Sequence, residues 1–123
     1  MIIDEPDDRF YVGPSTIPGA GQGLFARVPL RTGTRLAVIG VLVRRGSASD
    51  RYTRFADEYK FRAGDHLLIP FGIAAMANHS SQPNLDKVVD GEALFLELQH
   101  DVDAGAELCL AYSDYARGRY RID

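Results

Sequence analysis

The apolar residues of this chain come in short runs, and turn-forming residues separate them at the roughly 8- to 12-residue spacing of all-β domains. Twelve of the 123 residues are glycine. Pairs such as Gly13-Pro14 and Asp90-Gly91 end one run before the next begins. Because helices of ordinary length need longer periodic segments than these runs offer, the pattern predicts a compact, mostly β fold.

Individual strands can be assigned along the chain. Leu36–Val43 is the longest apolar run and predicts one buried strand, in which Gly40 could form a bulge. Asp90-Gly91 stands between two apolar segments and predicts a hairpin with a tight turn. Further strands are predicted at 10–12, 24–26, 66–71 and 107–112.

The sequence favours one helix. Ser47 or Ser49 could cap its N-terminus, and it would end at about Glu58. The residues that would share its apolar face by helical spacing are Tyr52, Phe55, Ala56 and Tyr59.

Composition excludes several classes of protein. With 46% apolar and 25% charged residues, the chain has the usage of a soluble globular domain, and its length favours a single domain over residues 1–123. No apolar run approaches membrane-spanning length. The single cysteine, Cys109, permits neither an intrachain disulfide nor a thiolate zinc site, so no metal is expected.

Charge and the N-terminal segment bear on partners and localisation. The net charge of -3 does not favour nucleic-acid binding, for which a basic domain is expected. The start is acidic and lacks a secretory pattern, so the protein is expected not to be secreted. Twelve arginines against two lysines suggest a GC-rich bacterial genome, in which case the protein would be cytoplasmic.

Three polar or glycine-rich segments could carry chemistry. Gly19–Gly23 could bring backbone close to a ligand, but alone it also fits an ordinary turn. Asn78–Asn84 offers amide and imidazole groups for a ligand, or a loop that caps its own backbone. Glu107–Tyr115 is a strand that ends in two tyrosines, which could orient a nucleophile or simply lie at a strand end.

These motifs, in this order, resemble the signature of the SET domain, the fold of most protein-lysine methyltransferases. The segment 15–26 is similar to the family's opening loop and G-x-G-L-F-A, and 78–84 matches N-H-S-C-x-P-N. The segment 104–112 matches the terminal G-E-E-L-T-x-x-Y. The resemblance spans about 12–115 and implies a SET fold of several small sheets, one short helix and a C-terminal pseudoknot.

The resemblance also implies a function and a site. The activity would be methyl transfer from S-adenosylmethionine to the ε-amine of a lysine in a protein substrate. Tyr112 matches the family's catalytic tyrosine, with Tyr115 as the competing assignment. The implied cofactor-binding residues are Gly21, Gln22, Gly23, Leu24, Asn78, His79 and Tyr112.

The chain departs from the family pattern in places. Ser81 replaces the usual cysteine, and no cysteine follows Tyr115, so the family's zinc-binding tail is absent. Lys87 lies near the position of a family channel tyrosine. The expected residues of the lysine channel are Tyr59, Phe61, Leu110 and Tyr115, each with core packing as the alternative.

Two interpretations of function follow from this mixture of matches and departures. The first is an enzyme resembling the compact viral and bacterial members of the family. The second is a non-catalytic SET-like module that binds cofactor or peptide, which the altered channel and missing tail favour. Because a bare core leaves sheet edges exposed, a homodimer is also expected.

Overall fold

The computed structural model describes residues 3–5, 7–54, 57 and 60–111 of the chain. Within these ranges the protein is mostly β, with one short α-helix and one 3₁₀ helix. The strands are β1 (Phe10–Pro14), β2 (Gln22–Ala26), β3 (Arg35–Ala37), β4 (Ile39–Arg44), β5 (Phe61–Ala63), β6 (His66–Phe71), β7 (Asn78–His79), β8 (Leu85–Asp90), β9 (Ala93–Leu98) and β10 (Glu107–Leu110). The α-helix is α1 (Ala48–Tyr52), and the 3₁₀ helix is Ile73–Met76.

The strands form two sheets. The larger has the order β1-β2-β10-β8-β9-β3, with the short β7 paired to β10. The smaller has the order β4-β6-β5 and is antiparallel throughout. The last described strand therefore lies inside the larger sheet, where it contacts strands from both halves of the chain.

The run Leu36–Val43 forms two strands rather than the single strand predicted. Its first part lies in β3, which pairs with β9, and its second part lies in β4, which pairs with β6 in the other sheet. Val38 joins them and is 7% exposed, so the change of sheet takes place within the core. Periodicity cannot reveal this change because both parts are apolar.

The predicted bulge at Gly40 is wrong, because β4 and β6 pair without interruption from Ile39↔Phe71 to Arg44↔His66. Gly40 has a different role. A Cβ atom at this position would lie 2.3 Å from the carbonyl oxygen of Ile69. Glycine is therefore required by the close approach of the neighbouring strand.

The helix is shorter than predicted. Ser47 is its cap, as one of the two alternatives had it, and its hydroxyl accepts a hydrogen bond of 3.3 Å from the Asp50 amide. The helix ends at Tyr52, whose side chain is 75% exposed. No residue of α1 is buried, so no packed apolar face supports further turns. Phe55, Ala56, Glu58 and Tyr59 lie outside the described residues.

An ammonium group holds the segment that follows the helix. The Lys60 side chain is 5% exposed and forms ion pairs with Asp50 at 2.9 Å and Asp57 at 2.7 Å. It also donates to the Asp50 carbonyl at 2.7 Å. Three acceptors around one ammonium compensate for its burial and tie α1 to the start of β5.

The predicted hairpin is present as β8 and β9. Its turn lies one residue later than the Asp90-Gly91 pair indicates, because Asp90 is still paired with Ala93. Gly91 therefore takes the first turn position, with φ of +61°. A positive φ at this position suits glycine and the twist of two-residue hairpins.

The core lies between the two sheets. Leucines dominate it, and four of them are the largest fully buried side chains: Leu24, Leu96, Leu98 and Leu108. Residues of the smaller sheet complete it, with Leu68 buried and Leu42 and Phe61 packed against the cluster. Alternate residues of β9 face inward, the period-2 pattern of a strand with one buried face.

Candidate functional site

Strand β10 brings the three sequence motifs together. On one side it pairs antiparallel with β2, through Leu108↔Leu24. On the other it pairs parallel with β7, through Cys109↔Asn78 and Leu110↔His79. The glycine-rich segment, the Asn-His segment and the C-terminal motif thus lie side by side, as the predicted pseudoknot requires. Residues 112–123 lie outside the described residues.

The carboxylate of Glu107 is the centre of this arrangement. Its Oε1 accepts hydrogen bonds from the Thr16 amide at 2.8 Å and the Thr16 hydroxyl at 2.6 Å. Its Oε2 accepts from the Ser15 hydroxyl at 2.7 Å and from Asn78 Nδ2 at 3.3 Å. One carboxylate therefore links the loop before β2 to the Asn-His segment.

Asn78 joins the same centre to the glycine-rich segment directly. Its Nδ2 donates to the Gln22 carbonyl oxygen at 2.9 Å. Gly23 lies beside both partners, and a Cβ there would be 2.5 Å from Glu107 Oε2 and 3.3 Å from Asn78 Nδ2. Only glycine fits this position without displacing the hydrogen-bonded groups.

The glycine-rich loop presents open backbone next to this cluster. Gly21 has φ of +75°, which favours glycine, and its carbonyl accepts from the Ser15 amide at 2.8 Å. Among the described residues, apart from its two chain neighbours, no atom lies within 4 Å of the position where a side chain on Gly21 would begin. The Leu24 side chain is fully buried, so only its backbone could face a ligand.

The electrostatics favour an ionised Glu107. Burial raises the pKa of its carboxyl, but the hydrogen bonds from Thr16, Ser15 and Asn78 outweigh burial and hold the pKa below its usual value. The nearby Cys109 responds in the opposite direction, since burial first and the Glu107 charge second raise the pKa of its thiol to about 11. Cys109 is therefore a neutral packing residue at physiological pH.

The Asn84 side chain of the Pro-Asn pair clamps β10. Its Nδ2 donates to the Glu107 carbonyl at 2.9 Å, and its Oδ1 accepts from the Cys109 amide at 2.8 Å. The Asn84 amide also donates to the Cys109 carbonyl at 3.1 Å. This side chain satisfies strand groups on both sides of Leu108 and fixes the strand that carries the carboxylate.

The sequence had indicated some of these residues and missed others. Gly21, Gln22, Gly23, Asn78 and His79 lie together as predicted neighbours. Glu107 was not among the candidate site residues, nor were Ser15 and Thr16. One feature of the sequence could have indicated Glu107. It is a carboxylate at the start of an otherwise apolar strand, inside the C-terminal motif that the sequence analysis had identified.

Only two of the four residues predicted to line the lysine channel lie within the described residues. Leu110 is 7% exposed and belongs to the core cluster, and Phe61 packs against that cluster. In the described structure both residues therefore pack in or against the core, which was the alternative to a place in the lysine channel. Tyr59, Tyr112 and Tyr115 lie outside the described residues.

Lys87 reaches from the larger sheet to the smaller one. Its Nζ donates to the Arg62 carbonyl at 2.7 Å, next to Phe61 in β5. Burial and then the Arg62 charge lower the pKa of this ammonium from its usual value. A cation therefore lies beside one of the expected channel residues.

Other features of the described residues delimit the possible chemistry. Two cavities of about 350 Å³ share no lining residue with the predicted cofactor site. In the described part of the chain, no group of three or more His, Cys, Asp or Glu residues could hold a metal ion. No helix there is long and apolar enough to span a membrane.

Comparison with known proteins defines the class. The family model of the SET domain matches residues 21–113, about three quarters of the chain. The chain therefore belongs to the SET-domain family, whose members are typically protein-lysine methyltransferases that use S-adenosylmethionine. A search of curated proteins gave no significant match.

Solved structures give the same fold. A candidate histone methyltransferase of Plasmodium falciparum is similar with a TM-score of 0.68 and 16% identity, over 88% of this chain and 96% of that one. Polycomb Repressive Complex 2 of Chaetomium thermophilum, autoinhibited and bound to S-adenosylmethionine, has a TM-score of 0.71 and 24% identity. That match covers 85% of this chain but only 15% of the Polycomb chain. The predicted SET fold is thus confirmed.

Proposed function

We propose that the protein transfers a methyl group from S-adenosylmethionine to the ε-amine of a lysine in a protein substrate. The observation that carries the proposal is the hydrogen bond from Asn78 to the Gln22 carbonyl. It fixes the Asn-His segment against a glycine-rich loop that has open space beside Gly21 in the described structure. These two segments match the family's cofactor-binding motifs.

The residues fit the cofactor by their chemistry. Gly21, Gln22 and Gly23 would contact it mainly through backbone, and the open space beside Gly21 provides room. Asn78 and His79 match the family pair beside its amino group and adenine. S-adenosylmethionine supplies a sulfonium methyl group, which an amine nitrogen takes in line as a neutral thioether leaves.

The protein's own contribution is to deliver a neutral, oriented amine. A lysine amine has an unperturbed pKa of about 10.4, and an apolar channel lowers that pKa by desolvation. We assign the orienting role to the Tyr112 phenol, whose oxygen can accept a hydrogen bond from the amine. Orientation of this kind accounts for up to about 7–11 kcal/mol of barrier reduction in favourable cases.

The second candidate is a SET-like module that binds cofactor or peptide without catalysis. Lys87 favours it, because this cation stands near the sequence position of a family channel tyrosine, and its ammonium is held by the Arg62 carbonyl. A cation there would oppose entry of a protonated lysine. Catalysis and simple binding are distinguished by the next experiment.

Calorimetry with S-adenosylmethionine tests the binding site. We expect the wild type to bind, and Asn78→Ala to weaken binding by about 1–3 kcal/mol because its hydrogen bonds to the Gln22 carbonyl and to Glu107 are lost. Gln82→Ala is the matched control, since Gln82 is an exposed amide in the same segment. Equal affinities for Asn78→Ala and wild type would contradict the site.

Radiolabelled methyl transfer to histones and to a bacterial lysate then tests the activity. Label on a protein band, removed by the Asn78→Ala substitution but not by Gln82→Ala, is the expected result. Cofactor binding without transfer to any protein in these mixtures would favour the non-catalytic module. Absence of cofactor binding by the folded wild type would exclude the methyltransferase and would leave only a module that binds peptide.

A further inference from the structure

Apart from the two-residue β7, the described strands at the sheet edges are β1, β3, β4 and β5. Three of these four are obstructed at one position or more. The Arg9 guanidinium donates to the Arg35 carbonyl of β3 at 3.0 Å, and the Lys87 ammonium donates to the Arg62 carbonyl of β5 at 2.7 Å. Strand β1 ends in Pro14, which has no amide hydrogen to pair. Charged side chains and proline are the usual means by which proteins keep edges from pairing.

Strand β4 is the exception. It is six residues long and contains no proline. It pairs with β6 on one side, and among the described residues no hydrogen bond joins its other edge at residues 39–43. Its length and regular register make this edge suitable for a further antiparallel strand.

One face of β4 is also apolar and incompletely covered. Ile39, Val41 and Val43 alternate on it, next to Ile69 and Phe71 of β6. Val41 is 44% exposed and Phe71 is 43% exposed. The opposite face contributes Leu42 and Leu68 to the core. On this face Ile69 is buried, whereas Val41 and Phe71 beside it remain exposed.

The two ends of β4 carry opposite charge. At the Ile39 end, Glu5 and Ile3 line a cavity of about 350 Å³ with Ile39, Phe71 and Gly72. Glu5 Oε1 accepts from the Ile73 amide at 2.9 Å, whereas its Oε2 is buried without a hydrogen-bond partner among the described residues. At the other end, β4 runs into Arg44 and Arg45.

We infer that the β4 edge is the docking site for a second copy of this chain, related by a two-fold axis near Val41. An antiparallel pairing places the acidic end of one β4 against the basic end of the other. Opposite residues in such a pair share a face of the sheet, so Val41 would oppose Val41 of the partner subunit. The two smaller sheets then form one continuous six-stranded sheet.

A single contact between two β4 strands accounts for the free edge, the exposed apolar side chains and the charged ends of this strand. The unpaired edge gains strand partners, and the exposed valines bury one another. The cationic end of the second copy lies toward the acidic end, at which Glu5 is located. The inference is independent of the proposed catalytic function, since none of its residues belongs to the predicted cofactor site.

Sedimentation equilibrium of wild type, Val41→Lys and Val89→Lys tests the interface. We expect a dimer for the wild type at about 100 µM, a concentration at which weak interfaces are populated. Val41→Lys brings two like charges together at the axis and should yield monomer. Val89→Lys is the matched control, because Val89 is 45% exposed on the separate strand β8 and should leave the dimer intact.

Cross-linking provides a positive readout that folding defects cannot imitate. Opposed residues of antiparallel strands have Cα atoms about 4.5–5.5 Å apart, within disulfide range. We expect oxidised Val41→Cys to form a covalent dimer and Val89→Cys to remain monomeric on a denaturing gel. A monomeric wild type, or a dimer that Val41→Lys leaves intact and Val41→Cys does not cross-link, would overturn the inference.

Discussion

Glu107 organises more of the candidate site than any residue that the motif analysis had named. Four hydrogen bonds converge on its two oxygens, from Ser15, Thr16 and Asn78. A carboxylate suits this role because both oxygens accept, whereas an amide offers one acceptor and one donor group. The residue is a positioning group, since it fixes the loop and Asn78 that would contact the cofactor.

Replacement of Glu107 by glutamine removes one acceptor and changes little volume. We expect Glu107→Gln to destabilise the protein by about 1–3 kcal/mol, because donors from Thr16 or from Ser15 and Asn78 lose their partner. Urea denaturation gives the free energy of unfolding. The control is Glu97→Gln, which breaks only the surface ion pair with Arg35 and should cost less than about 1 kcal/mol. Equal losses in the two variants would contradict the role.

Tyr112→Phe tests the chemistry at the residue scale. If the phenol orients the amine, kcat should fall by about 10²–10⁴-fold with little change in cofactor affinity. Measurement of kcat by methyl transfer, and of cofactor affinity by calorimetry, separates the two effects. Tyr115→Phe is the companion variant, since the motif admits a register shifted by three residues. Loss of activity in Tyr115→Phe alone would transfer the role to Tyr115.

At the scale of elements, the pairing of β4 with β6 depends on the absence of a Cβ atom at Gly40. The Ile69 carbonyl of β6 occupies the space that a Cβ would need, and backbone atoms of a paired strand cannot move aside as a flexible side chain can. The close approach coincides with Pro70↔Gly40, beyond the end of β5 in the sheet. Proline is tolerated there because no third strand needs its amide.

We therefore expect Gly40→Ala to destabilise the protein by about 1–3 kcal/mol through overpacking. Gly13→Ala is the matched control in β1, where a Cβ would meet the Tyr11 ring at an ordinary 3.5 Å. The control should be neutral or slightly stabilising, because glycine weakens a strand interior. Thermal unfolding of both variants measures the difference, and a Gly40→Ala midpoint equal to that of Gly13→Ala would refute the packing argument.

At the scale of the whole molecule, ionised carboxylates that accept hydrogen bonds set the acid limit of stability. Burial raises the pKa of Glu107, but its hydrogen bonds lower it by more. In Asp7 and Asp50 the hydrogen bonds from Arg9 and Lys60 are the main cause of a lowered pKa. A carboxyl with a lowered folded pKa contributes stability above its unfolded pKa, and this contribution is lost as pH falls through the folded value.

The expected profile follows from these signs. Stability should be constant just above the unfolded carboxyl values of about 3.9–4.3 and should decline as pH falls below them. Thermal midpoints measured against pH test this, and Glu107→Gln should show a shallower acid decline than the wild type. A decline of the same steepness in both proteins would show that Glu107 contributes nothing to the acid limit.

Lys60 affects the stability of the protein at alkaline pH. Burial lowers its pKa, but the hydrogen bonds from its ammonium to Asp57 and Asp50 raise the pKa by more, so the net shift is upward. Its contribution is complete below the unfolded lysine pKa of about 10.4 and is lost as pH rises through the higher folded value. The ion pairs of Lys60 therefore hold the segment before β5 over the whole neutral range.

The sequence by itself determined the β-rich class, the β8–β9 hairpin and the family motifs, and it narrowed the helix cap to Ser47 or Ser49. These are local features, in which a few neighbouring residues set backbone conformation or match a pattern at fixed spacing. Strand β6 has the predicted bounds His66–Phe71, because its apolar run ends at residues that favour turns on both sides.

Only the tertiary structure decided how distant segments meet. The division of Leu36–Val43 between two sheets, the need for glycine at position 40 and the central role of Glu107 depend on contacts between distant residues. Examples are Gly40 with Ile69, and Ser15 with Glu107, which is 92 residues away. The length of α1 was also decided by the folded structure, in which none of its residues is buried. Local sequence preference cannot specify these features. The free energy that stabilises each of them comes from contact with a distant residue, and that contact forms only when the chain folds.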